Sequence, residues 1–206
     1  PGDRFPEAAL RLCYQIYDEA RAGVIGAKYC RMIGPAFTYI FRFVMLVLFQ
    51  ALVLNKIVLH GYATPYIYIL FILLLPIRIP AWLQLFVGFA LGYSIDLFSN
   101  TGGIHAFATV FLAYIRPFIL KILTPPEGYE EHDRPTIKSL GIGWFFFYCS
   151  SLVLLHHFVF FAVEILSFKH FSYILLKTLF SSLLSIFIIL LLQYLFYPLK
   201  ASKTLT

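Results

Sequence analysis

An acidic and a basic side chain flank a short polar turn near the middle of this chain. Asp96 precedes the turn, in Gly92-Tyr-Ser-Ile-Asp96-Leu-Phe-Ser99, and His105 follows it, after Asn100-Thr-Gly102-Gly103-Ile. The turn joins two apolar runs, each about as long as a bilayer is thick. An ionisable group in hydrocarbon costs roughly 2.5–3.5 kcal/mol at mid-membrane, so it usually has a partner or a task. We therefore expect function or structure to depend on this pair.

Asp96 lies near the C-terminal end of a predicted helix, where the helix dipole disfavours a negative charge. In a latch interpretation, the free N–H groups of the next helix and the hydroxyls of Ser99 and Thr101 compensate that charge. Gly102 and Gly103 then let the two backbones approach closely. In a second interpretation, Asp96 and His105 present a polar notch to a partner's helix or a ligand. A proton relay is the third, because an unperturbed histidine titrates near neutral pH, although no chain of further carboxylates follows His105.

The other ionisable groups in apolar runs favour structural roles. His156 and His157 are adjacent, and Glu164 follows His157 on the same helical face. A histidine and a carboxylate can bind a metal, but two ligands on one helix are weak support, so we favour interhelical hydrogen bonding or a position at the edge of the outer leaflet. Arg116 and Lys121 are interpreted as anchors at the positively charged membrane side. Cys149 is interpreted as a small packing residue.

Familiar catalytic motifs are absent from the sequence. It contains no P-loop, no GxSxG, no HExxH and no GxGxxG that follows a strand. We therefore predict no catalytic residue, no metal ligand set and no cofactor, and the chain is not expected to be an enzyme. An enzyme that acts on lipid-linked substrates through Asp96, or through His157 and Glu164, is the remaining catalytic alternative.

The composition indicates an all-α integral membrane protein. Of the 206 residues, 61% are hydrophobic and 13% charged, and the mean hydropathy is +0.84. A soluble domain could not bury this much phenylalanine, leucine and isoleucine. The apolar runs are continuous rather than alternating, which excludes the pattern of a transmembrane β-barrel.

Six transmembrane helices are predicted from the apolar runs between charges and helix breakers, since a crossing needs about 20 apolar residues. The second run is short and is extended backwards through Val58, and Pro76 and Pro80 bracket a tight turn at Arg78. The predicted spans are 35–54, 64–77, 80–98, 101–123, 139–166 and 172–198.

The lysine and arginine bias predicts that both termini are cytoplasmic. That orientation places eight basic residues inside, namely Arg31, Arg78, Arg116, Lys121, Arg134, Lys138, Lys200 and Lys203. Three lie outside: Lys56, Lys169 and Lys177. We expect this excess charge to meet anionic membrane lipid rather than nucleic acid.

The chain divides on these expectations into a six-helix membrane domain, 32–200, with a stretch on either side. Residues 1–31 differ in character from the rest and form either an interfacial amphipathic helix or a non-native extension that precedes a natural start at Met32. Residues 201–206 are expected to be a cytoplasmic tail.

The run Gly88-Phe-Ala-Leu-Gly92-Tyr-Ser-Ile-Asp96-Leu-Phe-Ser99, followed by Gly102-Gly103-Ile-His105-Ala106, resembles the signature of the MreD family of rod shape-determining membrane proteins. The resemblance covers about residues 32–200. It implies a fold similar to that of the substrate-binding subunits of energy-coupling-factor transporters. It also marks as motif positions and partner-binding candidates Asp96, Ser99, Asn100, Gly102, Gly103 and His105.

The same resemblance implies a non-catalytic scaffold of the bacterial cell-elongation machinery in the cytoplasmic membrane. Its implied partners are MreC and, through MreC, the filament protein MreB, the glycan polymerase RodA and a penicillin-binding transpeptidase. The alternative is a substrate-binding subunit of a vitamin transporter. Such subunits dock through small-xxx-small patches on their first helices, and the first predicted span has no such patch, so the scaffold is the preferred expectation.

Overall fold

The computed structural model describes residues 24–56, 63–130, 133–165 and 171–196, with side chains from residue 37 onward. The N-terminal residues 1–23 and the tail 201–206 lie outside this range, as do the predictions made for them. The chain separates into two compact units, Pro1–Val44 and Met45–Thr206.

Helices dominate the described residues. The first, α1, is Val24–Leu52, and a short 3-10 helix, Leu54–Lys56, follows it. In the second unit α2 is Leu70–Leu73, α3 is Ala81–Ser99, α4 is Ile104–Ile122, α5 is Ile137–Leu140, α6 is Ile142–Ile165 and α7 is Phe171–Phe196.

Five helical stretches of the described residues are long and apolar enough to cross a membrane: Phe37–Lys56, α3, α4, α6 and α7. Many of their large apolar side chains are exposed, as in Phe86, Ile122 and Phe187. The described residues thus contain helices and no strand, as predicted, and the length and apolar surface of these helices indicate a protein embedded in a membrane. The predicted third to sixth spans agree with α3, α4, α6 and α7 to within three residues at each end.

Local sequence explains where the central helices begin and end. Pro80 stands immediately before α3 with φ −57°, an angle that proline imposes and a helix start accepts. Asn100 ends α3 in the left-handed region at φ 54°, where asparagine is tolerated better than most residues. Gly102 and Gly103, at φ 62° and 100°, complete the turn into α4.

The predicted second span, 64–77, is wrong as a continuous helix. Residues 64–67 have no regular secondary structure, α2 has only four residues, and turns follow it. The alternation Tyr66-Ile-Tyr68-Ile favours extended backbone, and Pro65 and Pro76 interrupt a helix from either side. This stretch is nevertheless deeply buried, with Ile67, Tyr68, Ile69, Ile72 and Leu73 all at 1% exposure or less.

The irregular segment 63–80 runs alongside α4 in the same direction. Tyr68 contacts His105 near the start of α4, and Leu75 and Pro76 contact Arg116 near its end. Eleven helical residues separate those two levels, which corresponds to about 16 Å along the axis. The segment therefore passes through much of the thickness that α4 spans.

Helices α3 and α4 form a close antiparallel hairpin through two glycines of α3. A Cβ atom built on Gly92 would lie 2.5 Å from both the Cα of Ala106 and the carbonyl oxygen of His105, and one built on Gly88 would lie 3.0 Å from the Cβ of Ala113. The Gly-xxx-Gly spacing allows this approach of two membrane helices. Gly102 and Gly103, predicted for that role, have no neighbour within 4 Å of such an atom and serve the turn instead.

The substitution Gly92→Ala is expected to destabilise the hairpin because its methyl group has no space. Overpacking typically costs about 1–3 kcal/mol, so the midpoint of thermal unfolding in detergent should fall. Gly143→Ala is the control, because Gly143 lies in α6 with no neighbour within 4 Å of the added atom. Equal midpoints for the two variants would contradict the close approach.

Candidate functional site

Asp96 closes the turn between α3 and α4. Its Oδ1 accepts hydrogen bonds from the Thr101 hydroxyl at 2.5 Å and the His105 backbone N–H at 3.0 Å, and its Oδ2 accepts one from the Ala106 N–H at 2.8 Å. These two N–H groups belong to the first turn of α4, where four N–H groups lack partners within the helix. The carboxylate also meets the positive end of the α4 dipole. The latch predicted for Asp96 is therefore present.

The other motif residues of the turn differ in exposure. Asn100 and Gly102 are exposed, and Gly103 is half-buried. Ser99 does not bond to Asp96 as expected; its hydroxyl accepts a 2.8 Å hydrogen bond from the Asn55 side chain. The turn is thereby tied to the segment that follows α1.

His105, which the notch interpretation would present to a partner or ligand, is buried inside the protein. Only 2% of the residue is exposed, and its Nδ1 lies 2.9 Å from the Tyr68 hydroxyl. The Tyr66 and Phe160 rings also contact the imidazole, with centroids at 5.3 and 4.5 Å. His105 is the second residue of α4, and its side chain lies against segment 63–80.

Tyr68 links two histidines. Its hydroxyl lies 3.0 Å from Nε2 of His156 as well as 2.9 Å from Nδ1 of His105. A phenol has one proton, so one histidine donates and the other accepts. Nδ1 of His156 is buried without a partner, and an unpaired acceptor is less costly than an unpaired N–H. We infer that His156 donates to Tyr68, which donates to His105.

His157 takes part in a second defined chain. The backbone N–H of Tyr66 donates to the Ser185 hydroxyl at 2.9 Å, and that hydroxyl lies 3.1 Å from Nε2 of His157. Nδ1 of His157 lies 2.8 Å from the Val153 carbonyl and must donate to it. Nε2 therefore accepts from Ser185. The predicted interhelical hydrogen bonding of the histidines is confirmed.

Glu164, which the sequence places on the same helical face as His157, bonds to another residue. Glu164 is exposed and forms a 2.7 Å ion pair with Lys177 of α7. In the ranges that the structure describes, no three histidine, cysteine, aspartate or glutamate side chains lie close enough to form a metal-ligand group. The helices α6 and α7 are instead joined by this ion pair and by the contact between His157 and Ser185.

Gln50 binds the backbone of segment 63–80 as a neighbouring strand would. Its Nε2 donates to the Pro65 carbonyl at 3.0 Å, and its Oε1 accepts from the Ile67 N–H at 2.9 Å. Ser181 and Ser185 bind the other edge, through the N–H groups of Thr64 and Tyr66. The two serines are four residues apart on α7, a rise of about 6 Å. Thr64 and Tyr66 are two residues apart, which in extended chain is about 6.6 Å. The two serine hydroxyls are therefore spaced to match alternate N–H groups.

Arg116 forms a second buried polar layer, nearer the α4 C-terminus. It is 0% exposed, which contradicts its interpretation as an interfacial anchor, whereas Lys121 is exposed as expected of one. The Arg116 Nε donates to the Tyr148 hydroxyl at 2.8 Å, and the Arg116 Nη1 donates to Gln84 Oε1 at 2.9 Å. Its Nη2 donates to the Leu75 carbonyl at 2.5 Å, and both Nη atoms lie 3.4 Å from the Pro76 carbonyl.

Sequence reasoning missed the residues that hold the irregular segment. Gln50, Gln84 and the serines of α7 stand within apolar runs, where polar side chains are costly and normally have a partner. That signal is present in the sequence. The partners themselves are backbone groups far along the chain, which no side-chain motif reveals.

Chemically, the site is a closed hydrogen-bonded framework. The Asp96 carboxylate is occupied by three donors, and the three histidines are buried at 2% exposure or less. The arrangement is suited to holding α3, α4, α6 and α7 around segment 63–80. It exposes no carboxylate–histidine pair to a substrate within the described residues.

Fold and site together define a helical membrane protein with a buried irregular segment at its core. The chain matches no family model, no curated protein and no solved structure.

Replacing Asp96 with asparagine should weaken the hairpin. An amide has only one oxygen, so its NH2 group cannot accept the hydrogen bonds that the second carboxylate oxygen accepts. Hydrogen bonds to charged groups contribute about 1.5–3 kcal/mol each, so the unfolding midpoint in detergent should fall by several degrees. Glu127→Gln, which removes the same charge from an exposed loop position, is the control. A midpoint for Asp96→Asn equal to that control would refute the latch.

Proposed function

We propose that the chain is a non-catalytic membrane scaffold of the bacterial cell-elongation machinery, of the kind that its resemblance to the MreD family implies. In this role it binds MreC and, through MreC, joins MreB, RodA and a penicillin-binding transpeptidase. The proposed location is the cytoplasmic membrane, with both termini in the cytoplasm.

One observation carries this proposal: the ionisable residues of the motif bond to the protein itself. Asp96 fastens the start of α4, and His105 bonds to Tyr68 of the irregular segment. A motif used in this way builds a rigid membrane body. Such a body suits a scaffold, whose task is to hold partners in fixed positions rather than to transform a substrate.

The proposal includes six crossings, with segment 63–80 as the second, and the fold of energy-coupling-factor substrate-binding subunits. The path of the segment beside α4, between the levels of His105 and Arg116, supports its crossing. Backbone that is not helical is tolerated at membrane depth where protein surrounds it, and residues 65–75 of this segment are all buried.

A substrate-binding subunit of a vitamin transporter is the second candidate. Buried polar atoms without partners favour it: Nδ1 of His156 in α6, and the hydroxyls of Thr178 and Ser182 in α7. A polar ligand between these helices would satisfy such atoms. Native mass spectrometry of the purified protein distinguishes the candidates, because a stoichiometric small molecule is expected only for the transporter subunit.

Depletion of the protein from its native cell should produce rounded or lysing cells, because wall synthesis would lose its scaffold. MreC should co-purify with the tagged protein from membranes solubilised in mild detergent. Complementation by the wild-type gene, but not by an empty vector, is the control. Normal rod shape and normal wall incorporation after depletion would contradict the proposal.

A further inference from the structure

The hairpin of α3 and α4 presents an aromatic outer face. Residues 82, 86, 89, 93 and 97 recur at helical spacing on α3, and residues 107, 114, 118 and 122 do so on α4. All nine side chains are large and between 48% and 77% exposed; they are Trp82, Phe86, Phe89, Tyr93, Leu97, Phe107, Tyr114, Phe118 and Ile122. Both rows lie opposite the buried residues of their helices, so they share the side of the hairpin that faces away from the core.

Two tyrosines of this face lie near the middle of their helices, whereas tyrosine in membrane proteins is enriched at the membrane–water interfaces. Tyr114 is one residue from the midpoint of Ile104–Ile122, which is about 1.5 Å along the axis. Half of the hydrocarbon thickness is about 15 Å, a distance that a tyrosine side chain does not reach. Its ring is 57% exposed, so lipid alone would leave its hydroxyl in hydrocarbon.

Tyr93 has the same problem on the neighbouring helix. It lies three residues from the midpoint of Ala81–Ser99, about 4.5 Å along the axis. Helical side chains lean toward the N-terminus of their helix, and α3 and α4 are antiparallel. The side chains of Tyr93 and Tyr114 therefore lean toward each other's level, near mid-membrane.

The outer face of α7 shows what a lipid-facing surface of this protein looks like. Its exposed large residues are leucines and phenylalanines, among them Leu179, Leu183 and Phe187, together with two tyrosines. Those tyrosines, Tyr173 and Tyr194, stand third from the two ends of α7, where the wet interface favours them. The placement of Tyr93 and Tyr114 near the middle of their helices departs from this pattern.

We propose that the outer face of α3 and α4 binds a membrane-spanning helix of another polypeptide, which carries hydrogen-bonding side chains near mid-membrane. Such a helix satisfies its own backbone and supplies polar side chains that bridge to both hydroxyls. A second copy of this chain that docked through the same face would pair phenol with phenol, and the experiment below distinguishes that outcome from binding of another polypeptide. The inference depends on the proposed function only for the identity of the partner, MreC.

Photocrosslinking in native membranes tests this inference. Phe86→p-benzoylphenylalanine places the probe on the face, where Phe86 is 64% exposed, and Leu183→p-benzoylphenylalanine places it on α7 at 56% exposure. Ultraviolet light should join the first probe to a membrane-spanning peptide of another protein, identified by mass spectrometry. The second probe should join lipid only.

The contribution of the Tyr93 and Tyr114 hydroxyls is tested in the protein that carries the probe at position 86. Tyr93→Phe together with Tyr114→Phe should lower the protein adduct at position 86 about tenfold, the effect expected from two interhelical hydrogen bonds. Tyr194→Phe, which removes a hydroxyl near the helix end, should not change the yield. Both variants keep their aromatic rings, so packing is preserved.

Three results would each overturn the inference. They are adducts at position 86 with lipid only, an adduct with a second copy of the chain, and an adduct yield that is unchanged by the paired tyrosine substitutions. An adduct with a protein other than MreC would support this face and contradict the proposed partner. The two proposals therefore fail through different results.

Discussion

The need to satisfy backbone hydrogen bonds away from water governs this structure. Each unpaired N–H or carbonyl group in hydrocarbon costs several kcal/mol, and segment 63–80 is not a helix that could pair its own groups. Side chains of α1, α4, α6 and α7 supply the partners. They bind N–H groups at Thr64, Tyr66, Ile67 and Tyr68 and carbonyls at Pro65, Leu73, Leu75 and Pro76.

This requirement connects the hairpin to the core. Asp96 fixes the first turn of α4, which sets where His105 meets Tyr68, while Arg116 at the other end of α4 holds the carbonyls of Leu75 and Pro76. Both polar layers therefore depend on the register of α4. Gly88 and Gly92 set the distance of α3 from that helix, so the motif residues contribute to one framework.

The sequence predicted the features that depend on neighbouring residues. Long apolar runs indicated α3, α4, α6 and α7, and the latch at Asp96 joins groups nine and ten positions apart. The stretch 64–77 is predicted as a helix because its composition is as apolar as that of a span, whereas the side chains that bind its backbone, Gln50, Arg116 and Ser185, belong to other elements. The burial of His105 was missed for the same reason, since Tyr68 lies on another element.

Amide hydrogen exchange of the protein in lipid nanodiscs tests the central claim most directly. If side chains pair the backbone of the irregular segment, peptides that cover residues 63–76 should exchange as slowly as those of α6, although most of their residues are not helical. Gln50→Leu should accelerate exchange at Ile67 and Tyr68 and leave α6 unchanged. Exchange of residues 63–76 as rapid as that of the loop 124–130 would contradict the account.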